Sequence, residues 1–369
     1  MTPHVRLTFA FAILASIGLS GCEDERAARA DALSSGSAVA SAAPAPVPSA
    51  SAVAPGPEYE AEDLPNMDAV ATTILEQREQ IVARLKATGQ IDDVGANAML
   101  KIFAVSKSTG QGNPEPTAHP ITRRQCFDRR RSAGVKDEKK PMCGAPYMVP
   151  VYDVDQEKEA DAKVCIDRYE FPGLPCEYPL TWVAASQAQQ LCHIMGKRLC
   201  DAHEWEGACA GDLLPPSEEY RFDMPRLQSS YAHNGARSIR WAYGTTKDHK
   251  KCATDSQPSP KCTASGWKEC GSNTYPAGSF PDCKSPMGVY DQHGNAAEHM
   301  LLPLEEKQLG SRGGTGRPEM KGSWFIFQLK EAHIDDCRWR APAWHDDEGM
   351  NHANYHLSFR CCKDVNATK

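Results

Sequence analysis

Between Leu191 and Gly211 the chain reads LCHIMGKRLCDAHEWEGACAG, and no other stretch restricts its surroundings so much. A short amphipathic helix, Ala184 to Met195, enters Gly196-Lys197-Arg198-Leu199, and a second helix opens at Asp201. Asp201 can cap that helix, and Glu204, three residues on, can return its side chain to the cap amide. Trp205 and Ala208 then fall on the face that can pack inward. Cys192 and Cys209 flank the unit seventeen positions apart, with Cys200 between them.

Fifteen cysteines in 369 residues are too many for an ordinary cytosolic enzyme and imply an oxidising compartment. The N-terminus agrees. Arg6 precedes an apolar run from Leu7 to Leu19, too short for a membrane span, which reads as a signal peptide. It ends in Leu19-Ser20-Gly21-Cys22, which resembles the bacterial lipobox, and by that resemblance Cys22 becomes the lipidated first residue of the mature chain. Such an anchor would hold a soluble domain at a lipid bilayer in the cell envelope without spanning it. Setting Cys22 aside leaves fourteen cysteines, enough for seven disulfides. The net charge of -7, with no broad basic stripe, argues against nucleic acid as a partner.

The length allows about two domains. After the signal peptide (1–22), residues 23–65 are largely Ala, Ser, Pro, Val and Gly, a composition that cannot bury enough apolar surface to offset chain entropy, and are expected to form a disordered tether. Apolar residues from Val70 to Leu85 recur at helical spacing and Gly89 ends the run; a second helix is expected over Gly95 to Val105, giving a helical hairpin over 66–106. Residues 107–144 read as a basic linker carrying Cys126 and Cys143. Arg123, Arg124, Arg129, Arg130 and Arg131 are expected to form a solvated face, because Asp137 and Glu138 interrupt the positive field.

From residue 145 a series of motifs appears: Tyr147-Met148-Val149-Pro150-Val151, Cys165-Ile166-Asp167-Arg168-Tyr169-Glu170-Phe171, Tyr178-Pro179-Leu180-Thr181-Trp182-Val183, Gly196-Lys197-Arg198-Leu199 with Glu204-Trp205-Glu206, Trp241-Ala242-Tyr243-Gly244, Tyr275 to Phe280, Gly288 to His299, Lys321-Gly322-Ser323-Trp324 and Ser358-Phe359-Arg360-Cys361-Cys362. Their content and order over 145–364 resemble the sulfatase-modifying-factor family, the formylglycine-generating enzyme-like domains. The resemblance implies an α+β fold, a loop-rich and disulfide-stapled variant of the C-type lectin fold, here preceded by a short helical segment.

In that family two cysteines after the Gly-Ser-Trp/Tyr motif bind copper, a soft ion suited to thiolates. Their places here are held by Ile326 and Glu331, so copper is not expected. Ala297 also replaces a tryptophan of the oxidase groove. The family's other chemistry, sulfoxide synthesis at iron, needs helix-borne histidines, and the 67–105 segment has none. The resemblance further implies the disulfides Cys209–Cys337 and Cys192–Cys361, with Cys362 competing in the second. Proximity alone suggests Cys165–Cys176 or Cys126–Cys143. The resemblance also implies a calcium site from Asp291 and Glu298 with the carbonyls of Gly294 and Ala296, oxygen donors that suit a hard cation. Arg340, Trp344 and His356 are expected to line the groove. His352 and His356, at i and i+4, could chelate a transition metal if helical, with His345 or Asp347 as a third ligand.

The function expected is that of a lipid-anchored extracytoplasmic module binding an envelope protein or glycan through a domain without the copper pair. A divergent formylglycine-generating or other metal-dependent oxidase acting on exported proteins is the alternative.

Overall fold

The computed structural model describes residues 63–263, 266–311, 317–341 and 351–365. Helix α1 (Ile74–Ala87) starts where the Thr73 hydroxyl accepts the Glu76 N–H and the Glu76 carboxylate returns to the Thr73 N–H. Helix α2 (Asp93–Val105) is capped by Asp92. Their apolar faces are not a separate core. Ile81, Leu85, Met99 and Phe103 share one cluster with Phe171, Leu180, Leu191 and Phe359 of the main domain.

The segment 107–144 is corrected from linker to part of the domain. It contains helix α3 (Arg123–Ser132), held by the disulfide Cys126–Cys176. Its arginines divide by face. Arg123 and Arg130 are buried: Arg123 Nε donates to Glu177 Oε1 at 2.8 Å, and Arg130 pairs with Asp137 at 2.8 Å and lies over the Tyr169 ring. The acidic residue expected to interrupt a solvated field is the counter-ion of a buried one.

Two small sheets carry the domain. Strands β1 (Met148–Val151), β2 (Val164–Asp167), β3 (Arg198–Leu199) and β7 (Cys361–Asp364) form one antiparallel sheet in the order β1-β2-β7-β3. Strands β4 (Ala297–Leu301), β5 (Pro318–Lys321) and β6 (Leu357–Phe359) form the other, with β5 antiparallel and β6 parallel to the central β4.

The 191–211 unit connects them. Helix α4 (Ala185–Ile194) ends in a left-handed Gly196, φ 64°, with the Lys197 N–H returning to the Cys192 carbonyl at 3.0 Å. That reversal closes the orphan carbonyls of the last turn and feeds β3. Helix α5 (Ala202–Ala210) then opens with Asp201 as N-cap and Glu204 completing the capping box. Fully buried Trp205 packs in a cluster with Val149 and Ile166 of the first sheet and Met300 of the second. Short helices α6 (Pro216–Glu219) and α7 (Arg226–Ala236) occupy the long connection that follows.

All fourteen cysteines among the described residues are bonded. Cys192 joins Cys361 and Cys209 joins Cys337, the two pairs the family resemblance implies. Cys362 is not a competitor for Cys192; it bonds Cys200, because β3 and β7 run side by side with Leu199 opposite Cys361. The proximity guesses fail. Cys126 bonds Cys176 and Cys143 bonds Cys165, since Cys143 stands in the turn just before β1, the partner of β2. Cys252–Cys283 and Cys262–Cys270 staple the remaining loops.

Candidate functional site: an aromatic strip beside an arginine-centred loop

The loop from Asp291 into β4 is tightly folded, with Asp291 and Asn295 at positive φ. Gly294 sits so close to its neighbour that a Cβ would lie 2.6 Å from the Ala253 carbonyl oxygen. Of the expected calcium donors, Glu298 gives one oxygen to Arg360 Nε at 2.7 Å and Trp205 Nε1 at 2.9 Å, and the other to Arg360 Nη2 at 2.5 Å. Asp291 Oδ2 accepts the Gly278 N–H at 2.5 Å, while Oδ1 has no hydrogen-bond partner. Glu170 binds Asn295 Nδ2 and the Ala296 N–H. Burial pushes the Asp291 carboxyl up to about 7, and burial together with Asp291 and Glu298 raises Glu170 well above the usual range.

The cation that Glu298 faces is therefore the fully buried Arg360 guanidinium. A calcium ion using Glu298 would have to displace a two-pronged, charge-assisted pair. Of the four expected donors Glu298 is the one bonded to Arg360, while Asp291 keeps one buried oxygen without a partner among the described residues.

The positions that hold copper cysteines in the family carry no soft ligand. Ile326 is buried in an aromatic cluster with Trp182, Trp324, Phe325, Phe327 and Tyr355. Glu331 is a surface acid paired with Lys247 and His249. Two groups of described residues bring three ligand-type atoms together, Cys209–His293–Cys337 and Cys200–Glu204–Cys362, and both sulfur pairs are consumed in disulfides. In the first, His293 Nε2 lies 3.3 Å from Cys209 Sγ and already accepts the Ala242 N–H at 3.0 Å.

Arg340 does not line the groove. It is 2% exposed, lies over the Tyr220 ring at 4.0 Å and pairs at 3.3 Å with Glu206, which also takes Lys321 Nζ at 2.5 Å. Burial works against these charges, but Arg340 and Lys321 together hold the Glu206 carboxyl well below its usual range. The chelating pair is also corrected. His352 is exposed on an irregular segment, and His356 sits in the turn before β6, so the two share no helix. Trp344, His345 and Asp347 lie outside the described residues.

What gathers around His356 is aromatic. Its ring stacks on Trp324 at 4.7 Å and meets Tyr355 edge-on at 4.7 Å. Tyr355 neighbours Trp182 at 6.4 Å, which meets Trp267 at 5.2 Å. In the other direction Trp324 contacts His333 at 5.4 Å, which stacks on Trp339 at 5.0 Å. The strip is positioned by backbone from every side. The Trp182 N–H donates to the Asn354 carbonyl, the Ala297 N–H to the His356 carbonyl, and the Phe325 N–H to the Asn295 carbonyl. Thr109, just beyond the helical hairpin, donates to the Trp182 carbonyl at 2.8 Å.

Trp182 and Trp324 are each 6% exposed, and among the described residues neither indole N–H has a hydrogen-bond partner; His356 Nδ1 has none either. Burial, reinforced by the neighbouring histidines and Lys330, pushes His356 down to about 3, so its ring is neutral across physiological pH. Sequence reading missed this strip except for His356. Its rings are scattered from 182 to 356, and the one available signal was that Trp182 and Trp324 are among the four of the seven tryptophans that stand within family motifs.

No match was found among curated proteins. Among solved structures the chain is similar to the crystal structure of CarF, at 14% identity over 59% of this chain and 98% of that one, with a TM-score of 0.30. It is also similar to the Major Tropism Determinant I1 variant, at 12% identity over 55% of this chain and 50% of that one, with a TM-score of 0.27. A family profile described as the sulfatase-modifying factor enzyme 1-like domain matches residues 117–365. That span begins just before α3, ends just after β7 and takes in all seven strands and the three disulfides that staple the 191–211 unit. The chain belongs to the sulfatase-modifying factor enzyme 1-like family.

Proposed function

We propose that this protein is a lipid-anchored binding module of the cell envelope, built on the family scaffold but without its copper-dependent oxidation. The seven disulfides give the folded chain an extracytoplasmic setting. Among the described residues no helix is long and apolar enough to cross a membrane. Attachment is assigned to Cys22, which lies outside the described residues.

One observation carries the reading. Where thiolates are needed, the chain offers a buried Ile326 and an ion-paired Glu331, and every described cysteine is already in a disulfide. Neither side chain can supply a sulfur ligand, and a surface carboxylate suits harder ions than Cu(I). What the scaffold retains is a rigid, stapled surface with aromatic side chains brought together at one place.

The test is a formylglycine assay on a sulfatase-motif peptide with the purified chain offered Cu(I). The expected result is no aldehyde and no stoichiometric copper uptake. Turnover accompanied by copper uptake would overturn the proposal and restore an oxidase whose ligands lie elsewhere.

A further inference from the structure

We propose that the aromatic strip binds an uncharged oligosaccharide bearing acetamido groups, of the β-linked N-acetylhexosamine class. The inference rests on the binding reading above and narrows it to a ligand chemistry.

Three features of the strip select that chemistry. First, its rings are continuous. From Trp182 through Tyr355, His356, Trp324 and His333 to Trp339, successive centroids lie between 4.7 and 6.4 Å apart. Neighbouring planes meet at angles from 3° to 90° and two pairs stack on each other, so the strip offers separate ring faces and edges that would meet linked pyranoses one at a time. The half-buried His356, His333 and Trp339 offer the faces a ligand meets first, and the more buried indole of Trp324 lies between them.

Second, the unmet hydrogen bonding is directional. Indole N–H is a donor only, and the N–H groups of Trp182 and Trp324 are buried without acceptors. Buried polar groups are nearly always paired, so two such donors in one cluster call for an acceptor from outside the chain. An acetamido carbonyl is a strong one. His356 Nδ1, also unpartnered, can donate to or accept from a sugar hydroxyl according to its tautomer.

Third, the strip is poor in charge. The nearby acid, Glu331, is paired with Lys247, and among the described residues the one cation beside His356 is the exposed Lys330. An extended peptide is the weaker fit, because its own backbone N–H groups would need acceptors that aromatic rings do not supply. Acidic glycans would desolvate their charges along the strip against a single exposed lysine, Lys330, beside His356.

The experiment titrates the purified full chain with chitohexaose, the β-1,4-linked hexamer of N-acetylglucosamine, by calorimetry and indole fluorescence. Cellohexaose, which lacks the acetamido groups, and the sulfatase-motif peptide are run alongside. Saturable binding of chitohexaose is expected, weaker for cellohexaose by about tenfold or more, the equivalent of one hydrogen bond. Trp324→Phe, which keeps a ring and removes the N–H, is expected to weaken chitohexaose by about tenfold. Trp339→Ala, at the half-buried end, should weaken it as much while thermal unfolding stays unchanged. Three outcomes would overturn the proposal: no saturation by chitohexaose, affinity unchanged in both variants, or the peptide binding the strip in place of the sugar. None of these alters the aldehyde and copper result, so the two readings fall separately.

Discussion

Glu177 and Trp324 are both buried polar side chains far apart in sequence from their neighbours, yet one is fully paired and the other is not. Glu177 receives Arg84 of α1, Arg123 of α3 and Gln111, and its Oε1 also accepts the Tyr178 N–H. All of these groups are buried, and Arg84 also donates to the Pro65 and Asn66 carbonyls. This cluster fastens the helical hairpin to the domain. Around Trp324 the rings are just as close, but the indole N–H groups of Trp182 and Trp324 and Nδ1 of His356 have no partner among the described residues. A closed network fixes a structure, and once its members are satisfied it has little left with which to recognise anything. An open one, held in place by backbone from three directions, keeps its hydrogen-bonding capacity for a ligand.

The comparison breaks most visibly at Glu177. Replacing it with Ala leaves two buried guanidinium groups without their counter-ion, and loss of one partner from a buried pair costs about 3–5 kcal/mol. Glu177→Ala is expected to lose that much in denaturant unfolding, with α1 and α2 released first in hydrogen exchange. The same network sets a pH window. Burial opposes ionisation of Glu177, but Arg123 and Arg84 prevail and hold the carboxyl at about 2 against an ordinary 4.5. A depressed carboxylate contributes stability above its unfolded value and loses it as pH falls, so the contribution disappears between 4.5 and about 2. A Glu177→Gln chain whose stability fell as steeply through that window would show that another group carries the acid sensitivity.

A finer test uses two tryptophans. The Trp205 N–H donates to the Glu298 carboxylate at 2.9 Å in the core, whereas the Trp324 N–H donates to nothing. Hydrogen bonds to charged groups contribute about 1.5–3 kcal/mol. Trp205→Phe is therefore expected to cost that amount plus the lost packing. Trp324→Phe removes an unsatisfied donor, so it is expected to cost its lost packing alone, about 1.5–3 kcal/mol less than Trp205→Phe. Equal destabilisation of the two variants would mean that the Trp324 N–H is already satisfied, and the argument for an open network would collapse.

Local rules made the 191–211 unit legible. A cap at Asp201, its box partner at Glu204 and a glycine at 196 fix backbone geometry within a few residues, and they stand in the structure as the sequence suggested. The α+β family scaffold was legible from motif order. The arginines of α3 were not, because their helix face meets Glu177, 54 positions away from Arg123, and sequence proximity pointed instead to Asp137 and Glu138 as surface charges. Arg340 was misplaced for the same reason: its partner Glu206 is 134 positions away. The aromatic strip is a mixed case: Trp182–Tyr355 and Trp324–His356 join rings distant in the chain, while His333 lies within nine residues of both Trp324 and Trp339.

The smallest expected effect concerns the Asp291–Glu298 loop, where the resemblance and the geometry disagree. A bound ion stabilises the fold according to its concentration relative to its dissociation constant, so a site filled by calcium would make thermal unfolding respond to a chelator. Here the charge balancing Glu298 is covalently part of the chain, delivered by Arg360 from the short link between β6 and β7. It cannot be chelated or titrated away under mild conditions, because the opposing effect of burial on Arg360 is outweighed by Glu298 and its pKa is raised. Excess EGTA is accordingly expected to shift the melting temperature by less than about 1 °C, and added calcium to do no more. A larger shift, abolished by Glu298→Gln, would mean that calcium competes successfully with the guanidinium; the loop would then belong with the open, ligand-dependent regions of the molecule rather than with the closed network around Glu177.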